Sequence, residues 1–301
     1  MIKQILTALV TALMITVAQA SPKIVQLVVT APPGGGLDIS ARHFEKWMLE
    51  KKNVNLNFVF KPGAESTIGT IEVSKGPKDG SVVGYTTLGA LAGVSDKNKN
   101  IDFDYITATR KYISVLVATP KSGIVDYADY VNKSSSGSDF KMGHGSINQQ
   151  SQIDYLVSVV KPKIPPVVVT YKGASHVVND LLGGHIDIAI LPYSVVKEHI
   201  EAKKLRLIAT SSKLLDYPNE LVLTKKYKDF PDFGGYCLIM PKDSDIREVQ
   251  FWRSMMKEYM NDPNVVEEFK QTASEAYPIG EAALRSLVTD IQARFSVKDH
   301  K

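Results

Sequence analysis

The feature that most constrains this chain is a local pattern that recurs along it. A short β-branched run leads into a turn of glycine and other small residues, and a helix start follows. The pattern occurs at residues 34–38, 63–67, 143–146 and 172–175. Strand and helix signals that alternate in this way specify an α/β architecture, with helices covering the faces of a sheet. Residues 24–30, 54–60 and 81–87 read as the first strands, and a helix starting near Asp38 places Phe44, Trp47 and Met48 on one face. A second series begins near Tyr112, with strands expected at 112–119, 139–143, 167–171, 186–191 and 205–210. The clearest helix of that series spans 147–161, and Ser146 with Gln149 fits a capping box at its start. The next helix, striped by Val177, Val178, Leu181 and Leu182, stops at Gly183-Gly184. A loop around 225–235, rich in charge and proline, leads to one more strand at 236–240 and three C-terminal helical stretches.

The first twenty residues carry a different signal. Lys3, an apolar run from Ile5 to Ala18, and Ala18-Gln19-Ala20 ahead of Ser21 form the three-part layout of a cleavable secretory signal peptide. The run is shorter than the roughly 20 apolar residues of a membrane anchor. Export, with cleavage near Ala20-Ser21, is therefore expected. The roughly 280 residues that remain suffice for two domains with cores of their own. A composition 44% hydrophobic and 23% charged is that of a globular protein. Loss of Lys3 lowers the formal charge from +4 to +3, an excess too slight and scattered to suggest nucleic acid as a partner. The single cysteine, Cys237, lies in an apolar run and is expected to be a buried, inert thiol.

The four turns also carry the candidate chemistry. A helix N-terminus leaves backbone N–H groups unpaired at the positive end of the helix dipole, so it attracts anions. Small residues let the backbone approach a ligand and present those groups as a nest. Each terminus contributes about 0.3–1 kcal/mol at a surface, so several acting together can hold a carboxylate without an arginine. The sharper motifs are missing: there is no dinucleotide fingerprint, phosphate loop, zinc-protease or calcium-loop pattern, and no G-x-S-x-G nucleophile turn. The six histidines show no metal-ligand spacing. No cofactor, metal ion or catalytic set is expected; among the histidines only His144 sits in one of the four turns.

The residues in these turns resemble a known family. Pro33-Gly34-Gly35-Gly36-Leu37-Asp38 with Ala41-Arg42 resembles the first signature of the Bug-type receptors of tripartite tricarboxylate transporters. Lys61-Pro62-Gly63-Ala64 followed by Ile68-Gly69 resembles the second. Tyr171-Lys172-Gly173, then Asp180-Leu181-Leu182-Gly183-Gly184-His185-Ile186-Asp187, and the strand from Leu205 to Ser211 continue the resemblance in order. It implies a two-lobed periplasmic binding protein of the Venus-flytrap, type II-like kind, each lobe a mixed sheet flanked by helices. Residues 21–111 and 236–301 would form lobe one, and 112–235 lobe two. It further implies capture of a small carboxylate (a dicarboxylate, tricarboxylate, amino acid or aromatic acid) in the interdomain cleft and delivery to membrane permease subunits. The positions that carry over as ligand-binding are Gly34, Gly35, Gly36 and Asp38, then Gly63, Ala64 and Thr67. In lobe two they are Gly143, Ser146, Asn148 and Ser151, then Tyr171 and Gly173; His144 joins the ligand-binding candidates because it sits inside a cleft-facing turn. Asp38 suits helix capping as well as ligand contact.

The chain departs from the family pattern at three places. Glu65 and Ser66 stand where two glycines are usual, Ile147-Asn148-Gln149-Gln150 replaces a run of small residues and a histidine, and Leu191 falls where many members carry a cleft-facing aspartate; Glu65, Ser66 and Leu191 are expected at the ligand as well. A carboxylate at 65 would repel an anionic ligand, so Glu65 either points to solvent or pairs with an amine on a zwitterionic ligand. Two rival roles share the scaffold: a liganded protein presented to a membrane sensor kinase, and a secreted hydrolase. The hydrolase would need a convergent nucleophile, base and oxyanion site, of which the sequence shows none.

Overall fold

Strands β1 (Lys23–Val29) and β2 (Val54–Phe60) pair in parallel, because the helix between them, α1 (Gly36–Lys52), carries the chain back along the sheet. In a computed structural model of the chain, residues 23–97, 101–214, 217 and 221–296 are described. The expected export signal lies outside them. Helix α2 (Thr67–Ser74) returns the chain to β3 (Val82–Thr87), which pairs in parallel on the other side of β1. Then follow α3 (Leu88–Lys97) and β4 (Phe103–Tyr112).

At Ile113 the chain leaves this sheet. Strand β5 (Ser114–Ala118) belongs to a second sheet with β6 (Lys141–His144), β7 (Val167–Thr170), β8 (Ile188–Pro192) and β9 (Arg206–Thr210). Its helices are α4 (Tyr127–Ser136), α5 (Ile147–Val160), α6 (Ala174–Gly183), α7 (Tyr193–Glu201) and the short α8 (Leu223–Lys226). The chain then returns to the first sheet as β10 (Gly235–Pro241), followed by α9 (Ile246–Asn261), α10 (Pro263–Gln271), β11 (Ser274–Ile279) and α11 (Glu281–Ser296). The strand orders are β11-β4-β10-β3-β1-β2 and β7-β6-β8-β5-β9. Both sheets are mixed: β10 runs antiparallel to β3 and β4, and β5 antiparallel to β8 and β9. The molecule is thus a two-lobed α/β protein.

Both faces of each sheet are covered, and side-chain alternation divides the cores. Along β10, Tyr236, Leu238 and Met240 pack with Phe44, Trp252 and Tyr259 under α1 and α9. Cys237 and Ile239 point the other way, into Leu91, Val94, Leu284 and Val288 of α3 and α11. The Cys237 thiol is fully buried there, and burial pushes its pKa far up, so the expectation of an inert thiol agrees with its environment. Arg110 on β4 is only 1% exposed. Its guanidinium meets both carboxylate oxygens of Glu268 at 2.7 and 2.8 Å and stacks over Phe269 at 4.1 Å. His43 reaches the same carboxylate at 2.6 Å, so α1, β4 and α10 are tied at one point.

Several elements depart from the sequence expectations, among them helix α3, which no expected segment covers. The strand read as 112–119 is the junction of β4 and β5, which lie in different sheets and break at Ile113. The rest of β4 lies outside every expected strand; it is buried on both faces, with Ile106 in one core and Phe103 and Tyr105 in the other. Strand β11 carries Pro278, which an edge strand tolerates because no ladder donor is needed on its free side. The two crossings between the sheets lie side by side: the Tyr112 N–H donates to the Gly234 carbonyl at 3.3 Å.

Candidate functional site

The first predicted turn is held from within. Asp38, in the first turn of α1, accepts the Gly34 N–H at 2.8 Å on one oxygen and meets Arg42 at 3.0 Å on the other. This buried carboxylate fixes the glycine turn that precedes the helix, and both of its oxygens are turned to Gly34 and Arg42. Gly35 is the N-cap of α1, and Gly36 opens the helix. A Cβ on Gly36 would lie 2.3 Å from the Tyr236 hydroxyl, so only glycine admits the phenol to this helix end.

The second turn is strained. Ala64, Glu65 and Ser66 take positive φ angles of 44°, 55° and 78° in succession, a conformation that costs a non-glycine residue about 1–2 kcal/mol. Threonines hold the turn in place. The Thr70 hydroxyl donates to the Ser66 carbonyl at 2.8 Å and shares a 2.6 Å hydrogen bond with Thr86, which also accepts from Thr30 at 3.0 Å. Loop, α2, β1 and β3 are thereby locked together.

In lobe two, the N-terminus of α5 differs from the expected capping box. The Gln149 side chain does reach back, but its oxygen accepts the Gly145 N–H at 2.9 Å. The Ser146 hydroxyl makes no cap bond. Ser146 and Asn148 instead approach the Tyr112 hydroxyl without completing well-aligned hydrogen bonds. Burial pushes the Tyr112 phenol up to about 12, with Ser146 and Asn148 pulling it the other way. On the neighbouring turn, the Tyr171 hydroxyl donates to Asp180 at 2.6 Å, which occupies the phenol. Gly173 is the N-cap of α6; a Cβ there would lie 2.4 Å from Cδ of Pro32 on the other lobe, so the two turns are in direct contact.

These pieces converge. Gly35, Gly36 and Leu37 of α1, Ser66 at the start of α2, Gly145, Ser146 and Gln149 at α5, and Gly173 and Ala174 at α6 surround one cavity of about 30 Å³. Thr87, Tyr112 and Tyr236 complete its polar wall, and none of the lining side chains is charged. The lobes are closed over it, leaving room for little more than a water or two. Larger hollows of about 400, 500 and 590 Å³ lie elsewhere, but no such set of helix starts meets at any of them.

The structure sorts the sequence-derived positions. Gly35, Gly36, Ser66, Ser146 and Gly173 reach the cavity wall. Gly34, Asp38, Gly63, Ala64 and Thr67 shape the turns behind it, and Asn148 and Ser151 are buried in α5. Gly143 lies within β6, where a side chain would collide with Ile186 and Val177. Leu191 must be corrected: it is fully buried among Val115, Val177 and Leu181 in the lobe-two core, paired with Val115 across β5, and does not face the cleft. Glu65 is not solvated outward either. Its side chain is 22% exposed, and Oε1 lies 3.3 Å from Nδ1 of His144, which is 1% exposed and on the opposite lobe. Tyr112, Tyr236, Thr87 and Gln149 reach the cavity without having been singled out as binding residues. Of these, only Gln149 carried a local signal, as the capping partner.

Two mixed α/β lobes joined by paired crossings, with helix starts from both lobes meeting in the cleft, define a two-lobed solute-binding protein. The chain matches the tripartite tricarboxylate transporter family receptor over residues 49–297 and belongs to that family. It is 24% identical to Protein BugT of Bordetella pertussis over 269 residues, 85% of this chain and 81% of that protein. Its fold is similar to that of the periplasmic binding protein BugD, with a TM-score of 0.83 at 20% identity over 91% of this chain and 97% of the other. It is also similar to MatC from Rhodopseudomonas palustris with bound malate, with a TM-score of 0.78 at 17% identity over 90% and 97% of the two chains. No helix among the described residues is long and apolar enough to cross a membrane.

Proposed function

We propose that this protein is an exported receptor that captures a small carboxylate between its lobes and delivers it to the permease subunits of a tripartite transporter. The observation that carries the proposal is the convergence of four helix N-termini, two from each lobe, on a cleft with no charged side chain in its wall. Such termini supply backbone N–H donors and partial positive charge, the chemistry a carboxylate needs. Gly35, Gly36 and Leu37 would donate from lobe one and Ser146, Gly173 and Ala174 from lobe two, with Ser66 and Tyr236 adding hydroxyls. Asp38 and Gln149 keep the turns in shape. MatC, on the same fold, holds a carboxylate, malate. Residues 21–111 with 236–301, and 112–235, would move as two bodies about Ile113 and Gly234, and ligand would favour the closed state by binding it more tightly. The role is capture and release, with no chemical step.

A thermal-shift screen of the chain from Ser21 onward, against dicarboxylates, tricarboxylates, amino acids and aromatic acids, tests this. A ligand at 100 times its Kd adds about 2.7 kcal/mol of stability, a readily measured rise in Tm. Absence of any shift, together with turnover of ester or amide substrates, would replace the receptor with a hydrolase.

A further inference from the structure

Glu65 and His144 face each other across the lobes at the edge of the cavity, adjacent in sequence to Ser66 and Gly145 of its wall. Their 3.3 Å separation is within ion-pair range, yet neither Oε1 of Glu65 nor Nδ1 of His144 completes a hydrogen bond, and both atoms are shut off from solvent. A buried carboxylate oxygen and a buried ring nitrogen, each short of a hydrogen bond, are costly to leave so. The other ring nitrogen of His144 is engaged by the Thr170 hydroxyl at 3.0 Å. With the proton on that Nε2, donated to Thr170, Nδ1 presents a lone pair beside the Glu65 carboxylate. The edge of the cleft then offers two acceptors and one negative charge. The wall beside it offers helix N-termini and hydroxyls, which suit an anion.

We propose that Glu65 and His144 form an ammonium-binding end of the cleft, so that the captured carboxylate is a zwitterionic amino acid. This rests on the receptor reading above. An ammonium group has three donors, enough for Glu65 and His144 at once, and its charge offsets the carboxylate that would repel a simple acid. The short spacing between the amine and carboxylate of an α-amino acid matches the adjacency of Glu65 to Ser66. Glu65 also sits at φ 55°, where glycine would be unstrained, so its side chain is carried at a conformational cost.

The test is calorimetric titration with matched triads: an α-amino acid, its α-hydroxy analogue and the acid lacking both groups. Aspartate, malate and succinate form one triad; glutamate, 2-hydroxyglutarate and glutarate a second; phenylalanine, phenyllactate and 3-phenylpropionate a third. An amino acid of at least one triad should bind about 10- to 100-fold more tightly than its deaminated analogue. Glu65→Gln, which keeps the shape, and Glu65→Gly, which suits the left-handed backbone, should both erase most of that ratio while leaving the deaminated acid's binding equal or better. If a hydroxy or deaminated acid binds as tightly as its amino acid, or both variants keep the ratio, the ammonium site is refuted and the carboxylate receptor stands. Binding by none of the nine compounds would remove both readings for ligands of this size.

Discussion

Substitution of Gly173 by alanine should block closure while leaving each lobe folded. The added methyl would lie 2.4 Å from Cδ and 2.7 Å from Cγ of Pro32. Apolar carbons rest about 3.5–4.0 Å apart, so the two turns must separate by about 1 Å. The backbone at Gly173 has φ 164°, extended geometry that alanine adopts without strain, so the cost in the closed state is steric. Overpacking of this kind costs about 1–3 kcal/mol, equivalent to about 5- to 150-fold in affinity. Because Pro32 and Gly173 belong to different lobes, the penalty falls on the closed form alone. Calorimetry with a ligand found by the thermal screen measures it, and urea unfolding without ligand reports any change in helix α6, where alanine is a poorer N-cap than glycine. Pro32→Ala in the same chain removes the ring and should recover most of the lost affinity. Unchanged binding by Gly173→Ala, or failure of the second substitution to rescue it, would show that the liganded lobes do not meet at these turns.

Other outcomes follow from the buried contacts. Burial pushes the Glu268 carboxyl up, but His43 and Arg110 together hold it below the ordinary value. Its folded pKa is therefore depressed, so its contribution to stability is present above the unfolded value, about 4.3. That contribution is lost as pH falls through the folded value. Urea midpoints measured from pH 6 downward should fall less steeply in Glu268→Gln than in the parent. Gln149→Leu leaves the buried Gly145 N–H without its acceptor, a loss of about 1–3 kcal/mol visible in the melting curve. The Cys237 thiol should resist a thiol-reactive dye in the native protein and react at once in denaturant, because burial keeps it neutral and out of reach.

The turns were legible in the sequence because their signals are local. Proline, glycine and capping residues act within a few positions, and each of the four turns does precede a helix. Elements defined by distant partners were not. Strand β4 is stabilised by β10 and β11, far along the chain, and the run of small residues in α3 has no polar face to mark it as a helix. The mistaken placement of Leu191 has the same origin. Strand β8 is buried on both faces, with Ile188 and Ile190 on one side and Ala189 and Leu191 on the other, so no alternation shows which side meets the cleft. Tyr112 and Tyr236 reach the cavity from strands in the first sheet, an arrangement that only tertiary structure reveals.

The position of β10 has a consequence for how the chain comes together. It lies between β3 and β4, yet it is made after the whole of the second sheet. As the polypeptide emerges from its N-terminus, β3 and β4 must wait for the strand that joins them, while β5 to β9 are already complete. The inserted lobe can therefore finish folding first. The lobe that begins the chain is the last to close its sheet, with its apolar strands exposed in the interval.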